Sequence, residues 1–428
     1  MKVWDIEKDY DELLAFIIEG REKKRSHIRT AVEGIKRRVL DEGERALVEF
    51  STKWDGWTKP LPLKLSQEEI EEGFEKVGKK DLAILKGMIR NVQAYHRGQK
   101  GKKRTYKRNG LVVREEFVPV ERALVYVPGG TAPYPSSLVM GTVPAQLAGV
   151  KEIIVATPAR NGEINPYILA AATLLGIKDV YRLGGAQAIY AFSYGVGSVP
   201  KVDMIVGPGN AYVEEAKRDV YGQVGIDMLA GPTELIILCT ESFSPKAVAW
   251  DMFSQAEHDE MASVGLFSSS REHIYDVLKS IEKYSALNKR QTVVEKALKN
   301  NAFLVYYQDI DKAIRAINTI APEHMELVGD EQEEEKIHYP GIIYVGRHTP
   351  VAMGDYYIGT NHILPTGGAG RFTAGLSVDR FTKRKVLVKT DRQFLDRYAE
   401  SAVRLSEVEG LFAHGESIKA RKELIDEA

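Results

Sequence analysis

Along the first hundred residues, apolar positions recur at helical spacing. "YDELLAFIIEGREKKR", "HIRTAVEGIKRRVLDEGERALVEFSTKW" and "DLAILKGMIRNVQAYHR" predict amphipathic helices that pack on other elements. The period changes at "RALVYVPGG" (122–130), where strand-like runs begin to alternate with helix-like ones: "EIIVAT", "NPYILAAATLLG", "VYRLGG", "AQAIYAFSYG", "DMIVGPGN" and "AYVEEAKRDVYG". This alternation predicts right-handed βαβ units and a parallel sheet covered by helices on both faces. A second array starts at "TELIILCT" and continues through "SVGLFSS", "REHIYDVLKSIEKY", "AFLVYYQ" and "DIDKAIRAINTI". Two successive arrays predict an α/β protein with two Rossmann-like units. Beyond about residue 377 the pattern becomes helical again, to the end of the chain.

Composition narrows the class. With 44% hydrophobic and 28% charged residues and a formal net charge of -1, no global feature points to nucleic acid or to an anionic membrane surface. The basic run "RGQKGKKRTYKR" (97–108) has no aromatic platform or nucleic-acid motif beside it and reads as a solvated loop. The single cysteine, Cys239, lies in the apolar run "ELIILC"; one thiol excludes an internal disulfide framework, and a buried one is a poor nucleophile. No stretch approaches a membrane span and the first residues lack an apolar signal core, so a cytoplasmic location is expected.

Candidate chemistry enters at five places. The strand-to-helix junctions "YVPGG", "LGGAQ" and "VGPGN" carry glycine turns where an open parallel sheet binds ligands, although the full dinucleotide fingerprint is absent. "SPKAVAWDMFSQAEH" starts with an N-cap serine and a first-turn proline and places Asp251, Gln255 and His258 on one helical stripe; that stripe is a solvated face or a pair of metal ligands. "APEHMEL" holds Glu323 and His324 in a turn after Pro322, an acid and an imidazole suited to proton transfer. "GDYYIGTNHILPT" sets Asp355 and His362 in a loop that is a ligand clamp or a plain turn, and "EGLFAH" puts Glu409 and His414 on the terminal helix. The other histidines, His27, His96, His273, His338 and His348, sit among charged or turn residues and read as surface positions.

Taken in order, "YVPGGTAPYPSS", "GGAQAI", "VGPGNAYVEEAKR", "GIDMLAGPTE", "SQAEH", "APEH", "GDYYIGTNHILPT" and "EGLFAH" closely resemble histidinol dehydrogenases, from about residue 20 to the end. The resemblance implies a homodimer with shared active sites, dependent on Zn2+ (one per subunit) and NAD, that oxidises L-histidinol to L-histidine through L-histidinal with two NAD. It implies zinc ligands Gln255, His258, Asp355 and His414, an acid–base pair Glu323 and His324, and cofactor contacts Tyr126, Gln187 and Asn210. Substrate contacts would be Thr233, His324, His362 and Glu409 together with the zinc ligands. No nucleic-acid or membrane partner is implied. The fold implied is two incomplete Rossmann-like parallel-sheet domains, one inserted in the other. Residues 1–20 would form a helical segment, 21–124 and 233–376 the domain with the zinc and acid–base residues, 125–232 the domain with the NAD contacts, and 377–428 a helical tail exchanged in the dimer. Thr233 departs from the serine usual in the family's "AGPSE", keeping the hydroxyl and adding a methyl. The alternatives are a dehydrogenase of another small alcohol or hydroxy acid on the same scaffold, and a catalytically silent zinc-binding protein.

Overall fold

The computed structural model describes residues 1–21, 26–129 and 132–426, so Gly130 and Thr131 of the first glycine turn lie outside the described residues. The chain divides into two compact units, Met1–Gly98 with Val120–Phe381, and Gln99–Pro119 with Thr382–Ala428.

The first unit holds two parallel sheets. The six-stranded one runs Lys2–Asp5, Phe303–Tyr306, Ser263–Ser268, Glu234–Cys239, His324–Val328, Ile342–Val345. The strand "ELIILC" shows why this sheet is internal. Leu235, Ile237 and Cys239 enter the apolar cluster on one face, and Ile236 and Leu238 enter the cluster on the other. A strand apolar on both faces needs layers on both sides. The five-stranded sheet runs Asp179–Arg182, Glu152–Thr157, Arg122–Tyr126, Met204–Val206, Gly225–Ile226.

The second unit is a three-stranded antiparallel sheet, Thr382–Thr390, Leu111–Pro119 and Arg104–Arg108, with the helices Arg392–Val408 and Phe412–Asp426.

Several expectations change at the level of elements. Residues 2–5, read as part of a helical segment, form a strand in register with Phe303–Tyr306. The basic run around residue 104 forms a strand where a loop was expected, and the tail begins with a nine-residue strand before its helices. Exposed strands with charged residues on both faces carry no period-2 signal, which is why the pattern missed these two. The helices between residues 26 and 96 share the apolar cluster of the five-stranded sheet through Val32, Leu47, Phe50 and Val92, although the sequence reading grouped them with the other sheet. An apolar stripe states that a helix is covered, not which sheet covers it. His96 and His273 are buried, not superficial: His96 lies beside the Asn361 amide, and His273 Nδ1 is 3.1 Å from Ser268 Oγ. The side chain of His27 lies outside the described residues.

Candidate active site

At the carboxyl edge of the five-stranded sheet, chain order reverses between Arg122–Tyr126 and Met204–Val206, so the crevice of an open α/β sheet is expected there. Tyr126 closes its strand, is buried, and its hydroxyl accepts the Gly185 N–H at 3.0 Å at the start of the helix Gly185–Tyr194. Burial raises its pKa, so it remains a neutral phenol. Gln187 in the first turn of that helix is buried, and its Oε1 has no hydrogen-bond partner. Asn210 caps the helix Ala211–Val220, its Oδ1 accepting from the N–H groups of Tyr212 (3.0 Å) and Val213 (3.1 Å). Two helix starts and an orphaned acceptor at one sheet edge suit a phosphate- and amide-bearing cofactor.

The candidate acid–base pair occupies the opposite kind of edge. Glu323 and His324 were read as a turn; His324 instead opens the internal strand His324–Val328, next to the start of Glu234–Cys239. They therefore lie at the amino ends of the six-stranded sheet, where the switch-point rule does not look. The peptide joining Thr233 and Glu234 organises them. Glu323 Oε2 accepts the Glu234 N–H at 3.1 Å and lies 2.6 Å from the Thr233 hydroxyl, which is in turn 2.9 Å from Gln255 Oε1.

One hydroxyl proton cannot serve both oxygens. Burial pushes the Glu323 carboxyl up to about 8, with the Thr233 bond opposing, so near neutrality the acid proton points to Thr233 and the hydroxyl proton to Gln255. His324 Nδ1 lies 3.1 Å from the Glu234 carbonyl, an acceptor only, so Nδ1 carries the proton. That leaves Nε2 as a buried lone pair without a partner. Burial lowers the His324 pKa, and its ring lies 3.4 Å from Glu323 Oε2 as one member of a neutral pair rather than an ion pair.

Gln255 is buried at the end of the helix Pro245–Ala256, whose N-cap Ser244 accepts the Ala247 N–H as the sequence implied. His258, expected on the same helical stripe, lies just past the helix end, in a turn closed by its N–H on the Gln255 carbonyl at 3.2 Å. Asp355 caps the short helix Val351–Gly354, with His362 Nδ1 at 3.6 Å. Burial raises the Asp355 pKa, but the hydrogen bond to His362 and the surrounding imidazoles outweigh it, and the net shift is downward, which favours the ionised carboxylate. His362 Nε2 lies 3.1 Å from Ser137 Oγ, on a helix that packs on the five-stranded sheet. Among the described residues, no group of three His, Cys, Asp or Glu side chains is arranged to hold a metal ion. What the unit offers a cation is an ionised Asp355, the His258 imidazole and the neutral Gln255 amide, a mixed oxygen and nitrogen set.

Glu409 and His414 belong to the second unit: Glu409 follows the helix Arg392–Val408, and His414 is in the first turn of Phe412–Asp426, both exposed. Sequence reading missed Glu234 and Arg21. Arg21 Nε meets Glu234 Oε1 at 2.7 Å and an Arg21 guanidinium nitrogen donates to the Ile320 carbonyl at 3.0 Å, fixing the peptide on which Glu323 and His324 depend. The Glu in "GPTE" was the available signal, absorbed as the first residue of an apolar strand.

Two parallel sheets, a crevice suited to a cofactor on one and a buried acid–imidazole pair suited to proton transfer on the other are the architecture of an α/β enzyme. Comparison with known proteins narrows the class: the profile of the family described as histidinol dehydrogenase matches residues 19–422. A histidinol dehydrogenase of Syntrophotalea carbinolica is 39% identical over 419 residues, covering 97% of each chain. One of Carboxydothermus hydrogenoformans is 40% identical over 406 residues, 93% of this chain and 96% of the relative. A crystal structure of histidinol dehydrogenase from Elizabethkingia anophelis superposes with a TM-score of 0.92 at 31% identity, covering 99% and 98% of the two chains. The chain belongs to the histidinol dehydrogenase family.

Proposed function

We propose that this protein oxidises L-histidinol through L-histidinal to L-histidine, with two equivalents of NAD and a bound zinc ion, as a homodimer. The observation that carries the reading is the fixed tautomer of His324. Its Nδ1–H is held on the Glu234 carbonyl, and its Nε2 is buried without a hydrogen-bond partner. A neutral imidazole with one committed nitrogen is a general base awaiting a substrate proton.

In this reading His324 Nε2 removes the hydroxyl proton as hydride leaves the carbinol carbon. Glu323, once ionised, takes a proton from the water that hydrates the aldehyde, and His324 serves again when the hydrate is oxidised. Thr233 orients Glu323 and Gln255 together, and His362, braced by Ser137, lines the substrate's position. Gln255, His258, Asp355 and the partner's His414 would hold the zinc ion, which would supply a Lewis acid, and Tyr126, Gln187 and Asn210 would hold NAD, which would supply the hydride acceptor. Cys239 takes no part, since burial pushes its thiol up to about 12 and a hydrated aldehyde needs no thiolate.

The test is L-histidinol-dependent NADH formation by protein of measured metal content. Chelation should abolish activity and zinc restore it, and His258→Asn should lower bound zinc on direct metal analysis, a readout independent of turnover. Full activity in a verified metal-free preparation would overturn the zinc assignment, and no NADH formation with any metal would overturn the substrate.

A further inference from the structure

Three ionisable side chains lie buried between the cofactor turn and the Thr233 loop, and the proposed chemistry uses none of them. Lys217 is fully buried, Asp227 is 2% exposed and Glu214 7%. Burying charge is expensive unless every donor and acceptor is met, and here they are. Lys217 Nζ reaches Asp227 Oδ1 at 2.7 Å, the Gly207 carbonyl at 3.1 Å and Glu214 Oε1 at 3.4 Å. Asp227 accepts the N–H groups of Gly207 and Met228, both at 2.7 Å. Glu214 Oε1 accepts the Gly209 N–H at 3.1 Å, and its Oε2 accepts the Ala230 N–H at 2.7 Å.

The two oxygens of Glu214 thus hold two different segments. Gly209 lies in the turn that delivers Asn210, and Ala230 lies in the loop that delivers Thr233 to Glu323 and Gln255. The same loop is held from its other side by Thr366, whose hydroxyl accepts the Gly231 N–H. A buried ionic cluster adds little net stability compared with apolar packing, and its distinctive effect is to fix geometry. We propose that Glu214 is a positioning residue, a clasp that sets the cofactor turn 207–210 against the substrate loop 230–233, with the Lys217–Asp227 pair as its fixed base. The cofactor half of this inference rests on the Asn210 assignment above; the substrate half rests on Thr233. Burial pushes the Glu214 carboxyl up to about 7, with Lys217 opposing, so the amide of Glu214→Gln is a tolerable replacement and Lys217 and Asp227 still neutralise each other there.

Two variants separate reach from charge. Glu214→Asp keeps a carboxylate beside Lys217 but withdraws it from both peptides; Glu214→Gln keeps the reach and one acceptor oxygen. Glu214→Asp is expected to raise the NAD dissociation constant about tenfold and to slow oxidation of supplied histidinal about tenfold, the effect of losing a charge-assisted hydrogen bond. Glu214→Gln should lie between it and wild type. In a double-mutant cycle, Thr233→Ala should add little to Glu214→Asp in histidinal oxidation, because both disturb one loop. Unchanged NAD binding and turnover in Glu214→Asp, with only a lower melting temperature, would reduce the cluster to a structural role and overturn the proposal. Full additivity with Thr233→Ala would overturn the link to the substrate loop. If Asn210→Ala leaves NAD binding unaltered, the cofactor assignment fails, while a persisting Glu214–Thr233 coupling still supports the clasp.

Discussion

At the scale of single residues, the proposed chemistry turns on two protons. His324 is poised because a carbonyl has taken the nitrogen that would otherwise compete, and Glu323 is restrained because burial keeps it protonated near neutrality. Glu323→Gln should therefore slow oxidation of supplied histidinal by about 10²–10⁴-fold while reducing aldehyde formation from histidinol far less, and His324→Asn should slow both. Steady-state assays of the two half-reactions decide this; equal damage to both by Glu323→Gln would refute the division of labour. The same carboxyl makes a pH prediction. The folded pKa is about 8 and the unfolded value 4.5, so the folded protein retains a proton that the unfolded chain releases. Its contribution to stability is complete below 4.5 and is lost as pH rises through about 8. Glu323→Gln, which cannot titrate, should show a smaller fall in melting temperature across that window than wild type.

At the scale of elements, the sequence was most informative where periodicity and punctuation agree. Ser244-Pro245 announced its helix, and "GPGN" announced a strand–turn–helix junction. It was least informative where position depends on tertiary partners. Nothing local distinguishes His324 at the head of a strand from His324 in a turn, because Pro322 and the left-handed Ala321 (φ 46°) end the preceding helix either way. The six-to-five division of strands is likewise set by which edges meet, and the family resemblance rather than any spacing named the substrate. Gly207 gives the element-level prediction. It has φ 117°, and a Cβ there would collide with the Tyr126 carbonyl, so two adjacent strand ends share space that only glycine leaves. Gly176 has φ 71° with nothing within 4 Å, so Gly176→Ala meets backbone strain alone. Strain of that kind is of order 1–3 kcal/mol. Urea unfolding should place Gly207→Ala clearly below Gly176→Ala in stability, and equal midpoints would show that the strands part without cost.

At the scale of the whole molecule, the proposed site is incomplete without Glu409 and His414, which belong to a unit made of residues 99–119 and the tail. The homodimer reading has each tail completing its partner's site. His258→Asn and His414→Asn homodimers should each be nearly inactive. Unfolded and refolded together, half of randomly paired dimers are mixed, and each mixed dimer holds one intact site, so roughly a quarter of wild-type activity should return by two-fold symmetry. No recovery in a sample shown to contain heterodimers would place His414 in its own subunit's site.

The strand Lys2–Asp5 has a consequence in time. Its one strand partner among the described residues, Phe303–Tyr306, lies about 300 residues later in the chain. At ribosomal rates of about 5–20 residues per second, the later strand emerges roughly 15–60 s after the earlier one. During that interval the five-stranded sheet, whose strands all fall between residues 122 and 226, is synthesised in full, while Trp4 and Ile6 lack the core that buries them. The six-stranded sheet thus joins the first strand translated to strands translated much later, and the edge made early waits as nascent chain for the strand it joins.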